Sequence, residues 1–228
     1  MPNDTFAERA FAFYSSLRAP KVPRGVRVMN PYADPAALGL VRAFLDRYFA
    51  DDRERLLVIG INPGRFGAGI TGVTFTDPVA LTDVCGIEND LPRRREPSSI
   101  FVYRLIERLG GPRPFYRRFF LTAVSPLGFT RGGTNLNYYD DPNLARAVTP
   151  FVIRTMEKQI ALGARRDCAI VFGRGQNYRY LERLNAERGW FGALEPLDHP
   201  RSIIQYKRKQ LDAYVERYAD VFTRLGGL

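Results

Sequence analysis

One stretch, from Leu56 to Pro78, constrains the fold more than any other. It opens with an unbroken apolar run, Leu56-Leu57-Val58-Ile59, which closes on Gly60-Ile61. A run without polar alternation fits a strand covered on both faces, as in a parallel sheet flanked by helices. The loop that follows holds four glycines and two prolines up to Pro78. Glycine allows close backbone approach, so such a loop can wrap around something flat or small. Asn62 is the polar side chain at the junction of strand and loop, which is where ligands bind in open α/β sheets.

The rest of the chain supplies the remaining layers. Strands are predicted at Phe119–Ser125, Asp167–Phe172 and Phe191–Leu197. An amphipathic helix spans Thr5–Leu17, and a second, capped by Asp34 with Pro35 in its first turn, runs to Ala50. A third starts at a cap on Ser98 or Ser99 and ends at Arg108 before Gly110-Gly111. One or two helical turns fit within Val79–Asp90. Pro150 is expected to break a longer helix, leaving a short turn at Asn143–Val148 and a new helix capped by Thr149. Further helices span Gln176–Glu187 and, basic and amphipathic, Gln205–Leu225. Arg18–Pro31 reads as an extended arm, and Leu91–Pro97, with three arginines in a row, as an exposed loop. Leu127–Pro142 is a Gly/Asn/Tyr-rich loop long enough to carry function. Alternating strands and helices imply a three-layer α/β/α architecture around a parallel sheet of about four strands. One domain is expected over residues 1–228, with residues 1–33 as an N-terminal helix and arm.

Composition narrows the partner. The 228 residues carry a net charge of +10, with 45% apolar content, which suits a packed core and a polyanionic partner. Solubility alone is the plainer account of that charge. The basic residues cluster near the candidate loops, and this favours nucleic acid. Cys85 and Cys168 are too few for a four-thiolate centre and lie in apolar surroundings, as buried, reduced thiols do. No apolar run approaches the ~20 residues of a membrane helix. The first residues, with Asp4 and Glu8, lack a signal-peptide pattern, so a cytoplasmic chain is expected.

In such a sheet the loops after Ile61, Ser125, Phe172 and Leu197 leave one edge. Asn62 and His199 should therefore meet in space, although more than half the chain lies between them. The loop after Ser125 brings Asn135, Asn137, Tyr138 and Tyr139 to the same edge.

The run Gly60-Ile61-Asn62-Pro63-Gly64-Arg65-Phe66-Gly67, continued by Thr71-Gly72-Val73-Thr74-Phe75, resembles the first motif of the SMUG family. These are the single-strand-selective monofunctional uracil-DNA glycosylases, within the wider uracil-DNA glycosylase superfamily. The second motif of that family begins with His-Pro on a late loop, matched here by His199-Pro200-Arg201-Ser202. The resemblance runs from about Leu56 to the C-terminus. It implies a glycosylase that needs no metal and no cofactor, acts on uracil-containing DNA, single- or double-stranded, and works as a monomer.

The chemistry asks little of the protein. Breaking the bond between base and deoxyribose passes through an oxocarbenium-like sugar while the departing base gains negative charge. Stabilising that charge and placing a water at the sugar carbon suffice. By resemblance Asn62 positions the water; otherwise an Asn before Pro merely starts a turn. Asp77 is an alternative base, although Asp before Pro78 reads more simply as a helix cap. His199, the sole histidine of the chain, would donate to the base in its neutral form, which nearby positive charge favours. Phe75 falls at the position whose ring stacks on the extruded base; the plainer role is a core phenylalanine. Ile61 and Gly64 match positions whose backbone lines the pocket, and Ser125 and Asn137 are base-binding candidates on the second loop. Arg201, Ser202, Ile203, Lys207, Arg208 and Lys209 are the DNA-contact candidates. Ile203 and Ile204 could wedge into the base stack or belong to the core, and the three basic residues could grip phosphates.

Two departures mark a divergent branch. SMUG proteins carry an Asn before Cys-Pro-Leu that reads the uracil edge; here the position is Ala123, which offers no hydrogen bond. Asn135 or Asn137 could substitute, or the pocket could accept other deaminated bases such as xanthine. The second motif also lacks the usual Ser-Pro-Arg-Asn continuation. A rival reading is a non-catalytic binder of single-stranded or damaged nucleic acid on the same scaffold. A nucleotide-phosphate enzyme is disfavoured, because the loop lacks both the P-loop ending and the dinucleotide glycine pattern.

Overall fold

The computed structural model describes residues 4–227; residues 1–3 and 228 of the expected domain lie outside them. The chain begins with α1 (Phe6–Ser15), whose Thr5 cap and Glu8 form a reciprocal capping box. Strand β1 (Val26–Met29) precedes α2 (Pro35–Phe49), capped by Asp34 as expected. Then come β2 (Leu56–Gly60) and two short helices, α3 (Ala68–Thr71) and α4 (Pro78–Asp83). Helices α5 (Pro97–Arg108) and α6 (Pro112–Tyr116) lead into β3 (Phe119–Ala123). Strands β4 (Gly128–Arg131) and β5 (Thr134–Leu136) form a hairpin before α7 (Pro142–Ala161). The chain closes with β6 (Cys168–Phe172), α8 (Gln176–Arg188), β7 (Ala193–Leu197), α9 (Pro200–Tyr206) and α10 (Leu211–Gly226).

The central sheet has four parallel strands in the order β3-β2-β6-β7. Every residue of β2, β3 and β6 is buried, so helices must cover both faces. Neighbouring residues of β3 show the two sides. Phe120 packs against Phe6 of α1 at 4.9 Å between ring centroids. Phe119 packs against Phe222 of α10 at 4.8 Å. Beside the sheet Arg55 is wholly buried, lies 4.7 Å from both the Phe6 and Phe49 rings, and pairs with Asp51 at 2.9 Å. It also donates to the Tyr116 carbonyl at 2.8 Å, tying α1, α2 and α6 to the start of β2.

Several expectations are corrected. The arm at Arg18–Pro31 contains β1, which pairs antiparallel with β4, and the long loop contains β4 and β5; together they make a second, three-stranded sheet. These strands are short and carry Arg, Gly and Asn, so periodicity alone does not reveal them. Helix α7 runs unbroken through Pro150. Its buried face, Leu144, Val148, Phe151, Val152, Thr155 and Met156, straddles the proline, and burial of several such side chains at about 1.5–3 kcal/mol each outweighs a helix defect of about 3 kcal/mol. Glu96, not Ser98 or Ser99, caps α5, with Pro97 in the first turn. The expected helix Gln205–Leu225 is split: α9 ends at Tyr206, a 3₁₀ turn covers Arg208–Gln210, and α10 follows. The exposed run Lys207–Gln210 has no apolar face to bury, so nothing holds one continuous helix across it.

Candidate active site

The C-terminal ends of β2 and β3 and the loop after β7 surround a cavity of about 290 Å³. Gly60, Ile61, Asn62 and Gly64 line it from the β2 side, Ala123 from β3, Asn135 and Asn137 from the hairpin, and His199, Arg201 and Ser202 from the last loop and α9. Phe75 lines it from the glycine-rich loop. The two distant sequence motifs thus share one concave site.

Asn62 is locked in orientation. Its Nδ2 donates to the Leu136 carbonyl at 3.1 Å, and its Oδ1 accepts the Tyr138 N–H at 3.0 Å. The amide therefore clamps the strand end to the chain leaving β5, and the donor and acceptor ends are assigned by their partners. Oδ1 retains a second lone pair for a water. The hairpin reaches this position because Gly128 lets it close on the loop: a Cβ there would lie 2.6 Å from the Pro63 carbonyl.

His199 caps α9. Its Nδ1 accepts the Arg201 backbone N–H at 3.2 Å. A ring nitrogen that accepts an N–H carries no proton, so the tautomer is Nε2–H. Burial, with a contribution from the Arg201 charge, pushes its pKa down from 6.5 to about 4. The side chain is a neutral imidazole with one free donor.

Phe75 stands in the left-handed region, with φ 57°, unlike every other described residue except glycines. A non-glycine residue there costs about 1–3 kcal/mol and persists only where its surroundings impose it. The ring meets Phe172 edge-on at 5.4 Å and His199 at 5.9 Å. It also lies over Gly60, where a Cβ would fall 2.6 Å from Phe75 Cζ. Gly60→Ala is therefore expected to keep the fold while displacing the ring tip, which is free to give way where the backbone is not. If the ring stacks on a base, base release should slow about tenfold or more, since a base–aromatic stack contributes about 1–3 kcal/mol. Thermal melts paired with single-turnover kinetics measure both effects.

The remaining candidates divide. Asn137 lines the cavity; its Nδ2 donates to Asp140 at 3.2 Å, leaving Oδ1 without a partner among the described contacts. Ser125 is buried, donates to the Leu127 carbonyl at 2.7 Å and lies outside the cavity lining, so it shapes a turn instead of touching a ligand. Both Asp77 carboxylate oxygens accept backbone N–H groups, from Ala80 and Glu96, each at 2.8 Å. Asp77 is the helix cap and not a base. Ile203 is wholly buried in the core and cannot wedge into DNA. Lys207 is exposed but held by Asp198 at 3.2 Å and by the Tyr214 hydroxyl at 2.7 Å, while Arg208 and Lys209 are exposed. Tyr138 is buried and donates to Asn177 Oδ1 at 2.8 Å, so it braces the site from behind.

Two residues escaped the sequence reading. Glu96 lines the cavity, and burial pushes its carboxyl up despite the Ser98 and Ser99 hydrogen bonds. Its cue was Pro97, which marks the preceding residue as a cap. Tyr206, at the end of α9, is 82% exposed, an unusual position for so large a ring. No sequence pattern distinguishes it from the inward-facing tyrosines.

Residues 47–222 match the family model of the uracil DNA glycosylase superfamily. A search of the curated proteins gives no match. Among solved structures, the chain is similar to wild-type SMUG2 of Pedobacter heparinus: identity is 37%, the TM-score is 0.95, and the alignment covers 98% of this chain and 99% of that one.

Proposed function

The chain belongs to the uracil DNA glycosylase superfamily, and we propose that it is a monofunctional member that hydrolyses the bond between uracil and deoxyribose in DNA, as a step of base excision repair. One observation carries this reading: Asn62, Phe75 and a neutral, Nε2-protonated His199 line the same cavity. A ring to stack on, a donor for a carbonyl oxygen and an acceptor for a water are the three groups the reaction requires. No lysine lines the cavity, which agrees with direct hydrolysis and not a Schiff-base route.

In this reaction water adds to C1′ as the glycosidic bond breaks. The bonding pair leaves with the base, and its charge settles on a carbonyl oxygen that accepts from His199 Nε2–H. Asn62 Oδ1 holds the water, whose surplus proton passes to solvent; the base anion is reprotonated after it leaves. Ala123 presents only a methyl group to the base, and its carbonyl is engaged by Gln159 Nε2 at 3.3 Å. Recognition of the base edge falls to Asn137, whose free Oδ1 suits the N–H of an imide. Uracil and xanthine both carry that group. Arg201 and Ser202 at the cavity wall, with Arg208 and Lys209, serve the strand, and Tyr206 takes the place of Ile203 as the side chain that can fill the gap left by the lifted nucleotide.

The test is a gel assay on oligonucleotides carrying uracil or xanthine, in single and double strands, followed by alkaline cleavage. Abasic product from a uracil substrate supports the proposal; none from any uracil substrate sinks it. The pH profile is a second check. With His199 titrating near 4, its neutral donor form is complete above about pH 5, so the single-turnover rate should not fall as pH rises through 6.5. It should fall as pH drops through about 4, where a proton on Nδ1 would oppose the Arg201 N–H. The same shift costs stability in acid: below its ordinary 6.5 the unfolded chain binds a proton that the native state refuses until about 4.

A further inference from the structure

We propose that Arg65 and Arg94, both seated on the Phe66 ring at the rim of the cavity, form a phosphate clamp for the strand that delivers its nucleotide to the slot. The guanidinium of Arg94 lies 3.5 Å from the Phe66 ring centroid and that of Arg65 lies 4.4 Å away. Neither makes an ion pair among the described residues, whereas the adjacent Arg93 is held by both oxygens of Asp83, at 3.0 and 3.1 Å. Two like charges gathered on one half-buried ring repel each other, and an anion bridging them removes that cost. Planar guanidinium forks suit phosphate oxygens, and stacking on the ring fixes their orientation in advance.

The place on the rim follows from the chain. Gly64 and Ala68 flank Arg65 and Phe66 and line the cavity, as does Glu96, two residues beyond Arg94. The two loops touch, since a Cβ on Gly67 would lie 3.3 Å from Glu96 Cγ. Arg65 is further fixed to the hairpin, its backbone N–H donating to Asn135 Oδ1 at 3.3 Å and its side chain to the Gly133 carbonyl. Arg201 lines the same cavity from α9. A strand crossing the opening would thus meet Arg201 as well as the two guanidiniums seated on Phe66. The inference rests on the reading that DNA is the substrate.

The experiment is fluorescence anisotropy with a short, uracil-free, single-stranded oligonucleotide, titrated at several salt concentrations. Arg94→Ala should weaken binding roughly fivefold to tenfold near 50 mM salt and lower the slope of log affinity against log salt by about 0.7, the signature of one lost phosphate contact. Phe66→Leu keeps both charges but removes their seat, and should shift binding in the same direction by a smaller factor. Arg93→Ala, which removes an equal charge one position away, should leave affinity and slope unchanged. Unaltered binding by Arg94→Ala, or an equal loss in Arg93→Ala, overturns the clamp. Because the oligonucleotide contains no excisable base, Arg94-dependent binding by an enzyme that releases no uracil would support the clamp while refuting the glycosylase reading.

Discussion

On the proposed reaction, His199→Ala is expected to release uracil about 10²–10³-fold more slowly than the wild type under single-turnover conditions, while binding uracil-free DNA unchanged. The loss follows from what one pre-oriented donor contributes to a developing oxyanion. His199 has a second task, however, because its Nδ1 caps α9, and losing a cap costs about 1 kcal/mol of stability. His199→Asn separates the two. Its amide oxygen can accept the Arg201 N–H and keep the cap, but its short side chain cannot present a donor where Nε2–H stood. The asparagine variant should melt like the wild type and react as slowly as the alanine variant. A variant that restores the cap and the rate together would assign His199 to structure alone.

Asn62→Ala is the second large effect. The substitution removes the clamp on Leu136 and Tyr138 and, on the proposed mechanism, the acceptor for the attacking water. Misplacing a reactant by about 1 Å already costs about 10²-fold, so a fall of at least that size is expected in single-turnover rate. The stability loss should stay near that of two hydrogen bonds, about 1–3 kcal/mol, which a denaturant melt measures. Undiminished base release from Asn62→Ala would remove this residue from the chemistry.

Much of the scaffold was legible because its signals are local and redundant. The run Leu56–Ile59 has no polar residue to permit another reading, and Asp34-Pro35 states the start of α2 in two letters. The convergence of Asn62 and His199 followed from topology: parallel strands put their C-terminal ends on one edge. Sheet β1-β4-β5 was not legible: β1 owes its existence to pairing with β4 across about a hundred residues, and the local β4–β5 hairpin, although closed by Gly132-Gly133, joins strands too short and too polar to show a period. Pro150 misled for the reverse reason: a strong local signal was overruled by the apolar face on which α7 is buried.

The site residues sort along the same line. Asn62, Phe75 and His199 lie at loop positions whose geometry the flanking strands dictate, and the cavity contains all three. Ile203 and Ser125 were misplaced because sequence cannot show which way a side chain turns at the start of a short helix or within a tight turn. Glu96 and the Phe66–Arg94 contact depend on two loops meeting, and no residue spacing encodes that. The left-handed φ of Phe75 is likewise invisible in the letters. So is the need for Gly60, fifteen residues earlier, whose missing Cβ leaves room for the ring.

The most direct measurement is a crystal structure of the wild-type protein soaked with uracil. The account predicts the base lying flat against Phe75, with one carbonyl oxygen about 2.8–3.0 Å from His199 Nε2 and its imide edge toward Asn137. A base bound elsewhere, or one that meets neither the Phe75 face nor the imidazole, would contradict it.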